Sequence, residues 1–472
     1  MSFGSRFATR RAVRLGPLCV LTALALCLLL LVEAAFAAPG AKLWLARFNS
    51  RGNGSDSAYA LVVSPDGSKV FVTGGNGDYW TVAYDTATGS RLWATAYDGA
   101  GGQDFAYAIG VSPDGSKVFV TGKSQNNVAI EDYATVAYDT LDGKQLWATR
   151  YAGPFQFGKD IAHALGVSPD GSKVFVTGSS PGPGGVVDYA TVAYGTSNGN
   201  QLWATRYDGP GAATDNATAL GVSPDGSKVF VTGNSVGSGS LEDYATIAYD
   251  PSTGGQLWAA RYNGPANGVD EAAALGLSPD GSRVFATGLS AGDVSGLDYA
   301  TVAYDTGSGA QAWAKRYNGK TNGGDDATAL AVSPDGSRLF VTGFSSAPGG
   351  SDFDTVAYAT SNGGKLWAKT YNGSTNATDI ANAIAVSPDG SEVFVTGSTA
   401  PSPSADDYAT IAYAGSTGSK LWSKKYDGPA GNRDVATALA PSPGGSALYV
   451  TGFSWSNLGL GGFDYATIAY GT

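Results

Sequence analysis

One acidic residue recurs at a fixed place along the chain, and its spacing is compatible with two kinds of chemistry. An Asp lies eight residues before each Ser that begins one of eight Ser-Pro turns. The eight are Asp56, Asp104, Asp160, Asp215, Asp270, Asp325, Asp379 and Asp434. If the copies surround one axis, their carboxylates form an anionic ring that could hold a hard cation such as Ca²⁺. Alternatively, each Asp caps its own turn by accepting hydrogen bonds from backbone N–H groups.

Other residues that could carry catalysis are few. His163 is the single histidine, so a His-rich metal centre is excluded and at most one His-based triad is available. A pair of carboxylates for glycoside hydrolysis is an open alternative, but no Asp or Glu stands apart from its copies in the other repeats. No Gly-rich phosphate-binding loop lies between a strand and a helix. We therefore predict no specific catalytic residue.

These candidates belong to a repeated unit that three separate sequence markers identify. A Trp recurs at intervals of 49 to 56 residues. The eight are Trp44, Trp93, Trp147, Trp203, Trp258, Trp313, Trp367 and Trp422. Ser-Pro-Asp-Gly, or Ser-Pro-Gly-Gly in the last copy, begins at Ser64, Ser112, Ser168, Ser223, Ser278, Ser333, Ser387 and Ser442. Asp-Tyr-Ala-Thr or a near variant begins at Asp78, Asp132, Asp188, Asp243, Asp298, Asp352, Asp407 and Asp464. All three markers give eight units.

Each unit has the pattern of four short strands separated by turn residues. In the fourth unit the predicted strands are 216–222, 228–232, 244–249 and 256–262, with Pro, Asp and Gly between them. Strands at such spacing, repeated eight times, predict an all-β fold, an eight-bladed β-propeller with four antiparallel strands per blade. We name the strands of a blade A to D from the axis outward. The eight Trp residues fall on strand D, where we expect them to pack as structural residues.

The two ends of the repeat region predict how the ring closes. Residues 42–48 match strand D, whereas the chain ends on residues 464–472, which match strand C. The first segment should therefore complete the last blade as its outer strand, which removes free strand edges. We predict a single propeller domain over residues 38–472.

Strand direction alternates within a blade, so the loops divide between two faces. The A–B and C–D turns share one face and vary little, whereas the D–A and B–C loops share the other and vary greatly. Variable loops on a constant scaffold commonly carry binding specificity. Phe155, Phe157, Trp455 and Leu458 are apolar residues of these loops, and we expect them either to contact a ligand or partner or to cover a blade edge.

Two segments resemble known repeat families. Residues 83–89, Ala-Tyr-Asp-Thr-Ala-Thr-Gly, followed by Trp93, resemble the tryptophan-docking motif of pyrroloquinoline quinone (PQQ) propellers. The segment 112–122, Ser-Pro-Asp-Gly-Ser-Lys-Val-Phe-Val-Thr-Gly, is similar to secreted bacterial surface propeller repeats, also termed SBBP repeats, and to TolB-like repeats. The first resemblance implies eight docked blades and, as an alternative function, a PQQ-dependent oxidoreductase that needs Ca²⁺, a catalytic Asp and often a disulfide. Propellers host many functions, so the resemblance is specific for fold alone.

The first 37 residues have the features of a secretory signal peptide. Four arginines precede an apolar run over residues 18–32, and residues 35–37, Ala-Phe-Ala, form a small-x-small cleavage signature. An uncleaved anchor is the alternative. Both cysteines, Cys19 and Cys27, fall in this segment, so the mature chain should have no disulfide. The apolar run is removed with the segment, so the mature chain should have no membrane span either.

Location and charge narrow the function classes. We predict a secreted, periplasmic or cell-surface protein. Its 40 acidic residues against 29 Lys and Arg argue against a nucleic-acid partner. The predicted function is a binding or scaffolding module for a protein, glycan or small molecule, with no confident cofactor; the alternative is the PQQ-dependent oxidoreductase.

Overall fold

The structure is a computed structural model, and it describes residues 1, 37–50, 55–126, 130–155, 157–402, 405–456 and 462–472. The chain divides into two compact units, Met1–Ala38 and Pro39–Thr472, and the account below concerns the second unit. The predicted signal peptide, apart from residues 1 and 37, lies outside the described residues. Among the residues described we find no helix with the length and hydropathy of a membrane span.

Turn chemistry explains why each strand starts and stops where it does. In the third repeat Ser168 begins the A–B turn, and its hydroxyl donates to Asp170 Oδ1 at 2.5 Å. The same hydroxyl accepts the Lys173 N–H at 2.9 Å, while the Gly171 N–H bonds to the Ser168 carbonyl. The β-branched and aromatic run Val-Phe-Val-Thr then begins a strand immediately. Each turn is thus closed by its own side chains before the strand starts.

Thirty-two strands form eight sheets of four. Blade 1 is β2 (Ser57–Val63), β3 (Lys69–Asn76), β4 (Asp78–Asp85) and β5 (Arg91–Tyr97). Blade 2 is β6 (Asp104–Val111), β7 (Lys117–Gln125), β8 (Glu131–Asp139) and β9 (Gln145–Tyr151). Blade 3 is β10 (Ile161–Val167), β11 (Lys173–Pro181), β12 (Val187–Gly195) and β13 (Gln201–Tyr207). Blade 4 is β14 (Asp215–Val222), β15 (Val229–Val236), β16 (Glu242–Tyr249) and β17 (Gln256–Tyr262).

The second half of the ring repeats this order. Blade 5 is β18 (Asp270–Leu277), β19 (Arg283–Gly292), β20 (Gly296–Asp305) and β21 (Gln311–Tyr317). Blade 6 is β22 (Asp325–Val332), β23 (Arg338–Ala347), β24 (Gly350–Ala359) and β25 (Lys365–Tyr371). Blade 7 is β26 (Asp379–Val386), β27 (Glu392–Ser402), β28 (Ala405–Ala414) and β29 (Lys420–Tyr426). Blade 8 is β30 (Asp434–Pro441), β31 (Ala447–Ser456), β32 (Gly462–Gly471) and β1 (Lys42–Phe48).

The ring is closed, as the sequence predicts. Every strand A contacts strand A of the next blade, and β30 of blade 8 contacts β2 of blade 1. Strand A is therefore the innermost strand. The outer strand β1 pairs antiparallel with β32, from Lys42 opposite Tyr470 to Phe48 opposite Tyr465. The prediction of an eight-bladed propeller sealed by its N-terminal strand is confirmed.

The hydrophobic core lies between neighbouring blades and not within one of them. One cluster joins Phe71 and Trp93 of blade 1 to Val118, Val120 and Val136 of blade 2, all of them buried. Equivalent clusters join each of the other blade pairs. Because both faces of each sheet are covered by its neighbours, no blade buries its apolar surface alone, and stability depends on the complete ring.

The tryptophan of strand D links each blade to the next one. Trp147 donates its indole N–H to the Thr196 carbonyl in the C–D turn of blade 3, at 3.0 Å. Six other tryptophans donate in the same way to the equivalent turn. The exception is Trp422, whose Nε1 has no partner among the described residues, because β32 and β1 come from opposite ends of the chain and no C–D turn connects them.

Candidate functional site

Loop contacts divide the propeller into two faces. On one, which we call the turn face, the Thr86 hydroxyl of a C–D turn donates to the Gly67 carbonyl of an A–B turn at 2.7 Å. On the other, the variable face, the Asp104 N–H at the start of strand A donates to Gly77 in the B–C loop of the preceding blade at 2.6 Å. The D–A and B–C loops therefore meet on the variable face.

The eight recurrent aspartates lie at the variable face and bind their own D–A loops. Each carboxylate accepts one backbone N–H of that loop at 2.5 to 2.8 Å, from Ser50 for Asp56 and from a Gly for the rest. All eight side chains are buried, and burial is the main cause that raises the pKa of each carboxyl. These bonds are those expected of turn-capping carboxylates. The cation ring stays a prediction.

In several blades the second carboxylate oxygen binds strand B as well. Asp215 Oδ1 accepts the Val236 N–H at 3.1 Å, and Asp104, Asp325 and Asp434 make the corresponding bond. One carboxylate thus holds the D–A loop against the end of strand B. In these blades the base of the D–A loop is fixed to the sheet.

Among the described residues, three groups of carboxylates could hold a metal ion. Each combines the Asp at the start of strand C, an Asp of the D–A loop and the recurrent Asp of the next strand A, with ligand oxygens within 4.8 Å of one another. The groups are Asp78, Asp98 and Asp104; Asp188, Asp208 and Asp215; and Asp407, Asp427 and Asp434. Burial, followed by the charge of Asp427, raises the pKa of Asp407 to about 6. An all-oxygen set of this kind suits a hard cation.

Five blades contain an arginine site that the sequence analysis missed. In blade 5 Arg316 of strand D donates to Asp298 Oδ2 at 2.8 Å, to the Ser290 carbonyl at 2.7 Å and to the Ser290 hydroxyl. The Tyr hydroxyl that ends strand D of the preceding blade completes the site, as Tyr207 does for Arg261 at 3.4 Å. The five arginines are Arg47, Arg150, Arg206, Arg261 and Arg316. The signal was the Arg before the last aromatic residue of strand D.

The predicted loop aromatics lie on the variable face. Phe155 and Phe157 make an edge-to-face contact at 6.5 Å between ring centroids, and Phe157 remains 77% exposed. Trp455 lies on strand β31 opposite Phe463, so the prediction that it is a loop residue is wrong. It is half-buried, and its ring makes an edge-to-face contact with Phe463 at 5.0 Å between centroids. Leu458 lies outside the described residues. Of the three described residues, Phe157 has the largest exposed fraction.

The innermost strands differ from one side of the ring to the other. Tyr59, Tyr107 and His163 of blades 1 to 3 form an aromatic row, with centroid distances of 5.6 and 6.2 Å. Two residues nearer the start of strand A, directly after the recurrent Asp, blades 5 and 6 have Glu271 and Asp326. Burial, together with the neighbouring Glu242, raises the pKa of Glu271 to about 7. The expectation that no acidic residue stands apart from its copies is therefore wrong, because Ser, Phe, Ile, Asn or Val occupies this position in the other blades.

The family relationship agrees with this architecture. The sequence profile of the PQQ_2 family, described as outer membrane protein assembly factor BamB, matches residues 31–190, 134–301 and 299–454. These overlapping matches cover most of the chain, and the chain belongs to this family. The PQQ-like resemblance of the repeats is confirmed. No curated protein matches the chain.

Solved structures show the same fold at low sequence identity. BamB from Moraxella catarrhalis is 14% identical, with 92% of this chain and 100% of that chain aligned, at a TM-score of 0.54. Chaetomium thermophilum Sqt1 bound to the N-terminus of ribosomal protein L10 is 13% identical, with 92% of this chain and 100% of that chain aligned, at a TM-score of 0.58. Quinohemoprotein alcohol dehydrogenase from Comamonas testosteroni is 14% identical, with 93% of this chain and 78% of that chain aligned, at a TM-score of 0.56. At such identities the likeness shows the fold alone.

Proposed function

We propose that this propeller is a scaffold that binds a protein partner through its variable face outside the cytoplasm. The observation that carries the proposal is the convergence of all D–A and B–C loops on one face, where carboxylates fix the loop bases and Phe157 is exposed. A rigid ring with variable loop tips can present a specific contact surface at little ordering cost.

The relatives support a protein partner. The family is described as an outer membrane protein assembly factor, and Sqt1 binds the N-terminus of a ribosomal protein. The family description and the predicted signal peptide of residues 1–37 both favour a location outside the cytoplasm. The net negative charge of the chain, −11, further favours a partner that carries basic groups.

The PQQ-dependent alternative meets a chemical obstacle at the axis. PQQ is a tricarboxylate, and a site for it needs cationic side chains. None of the eight A strands contains Lys or Arg, and blades 5 and 6 place Glu271 and Asp326 there. The eight A strands therefore offer no cationic side chain to the PQQ carboxylates. Reconstitution with PQQ and Ca²⁺, followed by dye-linked alcohol oxidation, tests this alternative directly.

Two variants with equally exposed side chains test the scaffold function. Phe157 on the variable face and Leu141 on the turn face are 77% and 79% exposed. Crosslinked partners captured from an extract of the source organism should be lost with Phe157→Ser and retained with Leu141→Ser. Equal capture by both variants, or loss with both, would contradict a partner site that includes this part of the variable face.

A further inference from the structure

Blade 6 keeps the surroundings of an arginine site but lacks the arginine. Ser345 on strand B lies opposite Asp352 on strand C, and Tyr317 ends strand D of the preceding blade, as in the five blades that hold an arginine. Thr370 stands on strand D where those blades have Arg. The ligands for a guanidinium group are therefore in place without the group itself.

A second substitution adds a carboxylate at the same spot. Thr370 lies directly opposite Asp354 on strand C, whereas Arg316 of blade 5 lies opposite Ala300. The four other arginine-bearing blades also have Ala opposite Arg. Blade 6 has thus exchanged the Ala–Arg pair for an Asp–Thr pair, which removes one cation and adds one anion.

These two changes leave a cavity of about 240 Å³ that opens on the variable face. Asp352, Asp354, Ser345 and Thr370 line its inner part. Its mouth is formed by exposed loop residues that include Lys320. A polar group can therefore enter from solvent without rearrangement of the sheet.

The inner wall of the cavity has unused hydrogen-bonding capacity. Asp354 is 1% exposed, and Tyr317 donates its hydroxyl to Oδ2 at 3.0 Å. Asp354 Oδ1 and the Ser345 hydroxyl form no hydrogen bond of good geometry, although the Ser345 and Thr370 hydroxyls lie near enough to lower the pKa of Asp354. Lys320 lies near enough to lower the pKa of Asp352 and Asp354, but among the described residues it forms no ion pair within 4.0 Å. A buried carboxylate without a cation is costly, and a bound cation removes that cost.

We propose that the blade 6 cavity binds a guanidinium group, and that in the scaffold function this group is an arginine side chain of the protein partner. The acceptor set favours guanidinium over other cations because hydroxyl, carbonyl and carboxylate groups in the same arrangement hold an arginine in five sibling blades. Planar guanidinium can serve several of these acceptors at once, whereas an ammonium is a point charge. The identity of the group as a partner arginine rests on the proposed function.

Agmatine, a small guanidinium compound, tests the cavity without a partner. We expect agmatine to bind the full chain in isothermal titration calorimetry and 1,4-diaminobutane, which has an ammonium in place of the guanidinium, to bind about tenfold more weakly. The double variant Asp354→Ala/Thr370→Arg restores the sibling pair and fills the cavity from within, so it should lose agmatine binding. The control Arg316→Thr empties the blade 5 site, and it should create a second, weaker agmatine site.

Each other result would overturn the proposal. Equal affinity for 1,4-diaminobutane and agmatine would remove the guanidinium preference, and displacement of agmatine by Ca²⁺ would assign the cavity to a metal ion. If agmatine bound only to the Lys320→Ala variant, the ammonium group of Lys320 would be the cation that occupies the cavity in the wild type. Unchanged binding in the double variant would locate agmatine elsewhere.

A peptide arm separates this inference from the proposed function. An acetylated, amidated Gly-Arg-Gly peptide should bind like agmatine, and the matching Gly-Lys-Gly peptide should bind about tenfold more weakly. If agmatine binds and the Arg peptide does not, the cavity serves a free guanidinium compound. If no guanidinium probe binds but a partner is still captured, the cavity proposal is wrong and the scaffold function is unaffected.

Discussion

The indole of Trp147 lies directly on Gly199 of the next blade. Gly199 has φ +68°, and a Cβ added there would lie 2.6 Å from Trp147 Cε3. The positive φ and the missing side chain are both needed, since any larger residue would push the ring away. The same contact occurs at every blade boundary, with Trp422 against Gly40 at the closure. Each blade is therefore anchored to its neighbour by one aromatic ring on one glycine.

The closure offers a matched pair that isolates the indole hydrogen bond. Trp147→Phe removes the bond to Thr196, whereas Trp422→Phe removes no bond because Nε1 of Trp422 has no partner among the described residues. Both variants lose similar ring area. We expect Trp147→Phe to cost about 1 kcal/mol more in the free energy of unfolding, measured by urea denaturation. Equal losses would mean that the bond contributes nothing.

The recurrent aspartates should be structural in a measurable way. Asp215→Ala leaves the Gly209 and Val236 N–H groups without acceptors, and we expect a loss of about 1–3 kcal/mol in the free energy of unfolding. Asp208→Ala is the control, since Asp208 is exposed and its charge only opposes that of Asp215; its effect should stay within about 0.5 kcal/mol. If Ca²⁺ raised the melting temperature of the wild type but not of Asp215→Asn, the cation ring would be supported instead.

We expect the free energy of unfolding to be largest at about pH 4, between the carboxyls whose pKa is lowered and those whose pKa is raised in the folded protein. Hydrogen bonds from Ser64 and Ser68 lower the pKa of Asp66 to about 2, so this stabilisation is lost as pH falls from about 4 towards 2. Burial raises the pKa of Asp326 and of Asp407 to about 6, so folding stability declines as pH rises from about 4 to 6. Melting temperatures between pH 2 and 8 check both slopes. A steady rise towards pH 8 would contradict this assignment.

Asp354 should destabilise the empty propeller at neutral pH. Burial is the main cause that raises its pKa, with the hydroxyls of Thr370, Ser345 and Tyr317 and the charge of Lys320 acting in the opposite direction. The raised pKa means that stability is lost as pH rises above about 4. Asp354→Ala should therefore raise the free energy of unfolding by about 1 kcal/mol at pH 7.5 and leave it nearly unchanged at pH 3.5. A destabilised variant at pH 7.5 would show that the carboxylate is already compensated.

The repeat pattern made the fold predictable because its signals are local. The Trp positions, the turn that begins at Ser168 and the strand beginning at Lys42 each depend on a few adjacent residues and recur eight times. Strand ends were less accurate: the second strand of blade 4 was predicted to end at 232, but β15 continues to Val236. It continues because Val236 pairs with Glu242 across the hairpin, a contact that no run of neighbouring residues encodes.

The arginine sites were not predictable in the same way. Arg316 meets Ser290 and Asp298, which precede it by 26 and 18 residues, so the site exists only once the strand register is known. Asp354 was visible in the sequence as Asp-Phe-Asp-Thr where the other copies have Ala or Trp at its position. Its meaning emerged only from the register that places it opposite Thr370.

The closing strand also fixes how the ring would respond to tension. Gly40 bonds to Gly471, and Lys42 lies opposite Tyr470, so both ends of the propeller leave the sheet at the same corner. A pull between residues 39 and 472 would load these backbone bonds one after another, as in a zipper, and not all together in shear. Blade 8 would yield first and at low force, with the remaining seven blades released only after β1 has peeled away.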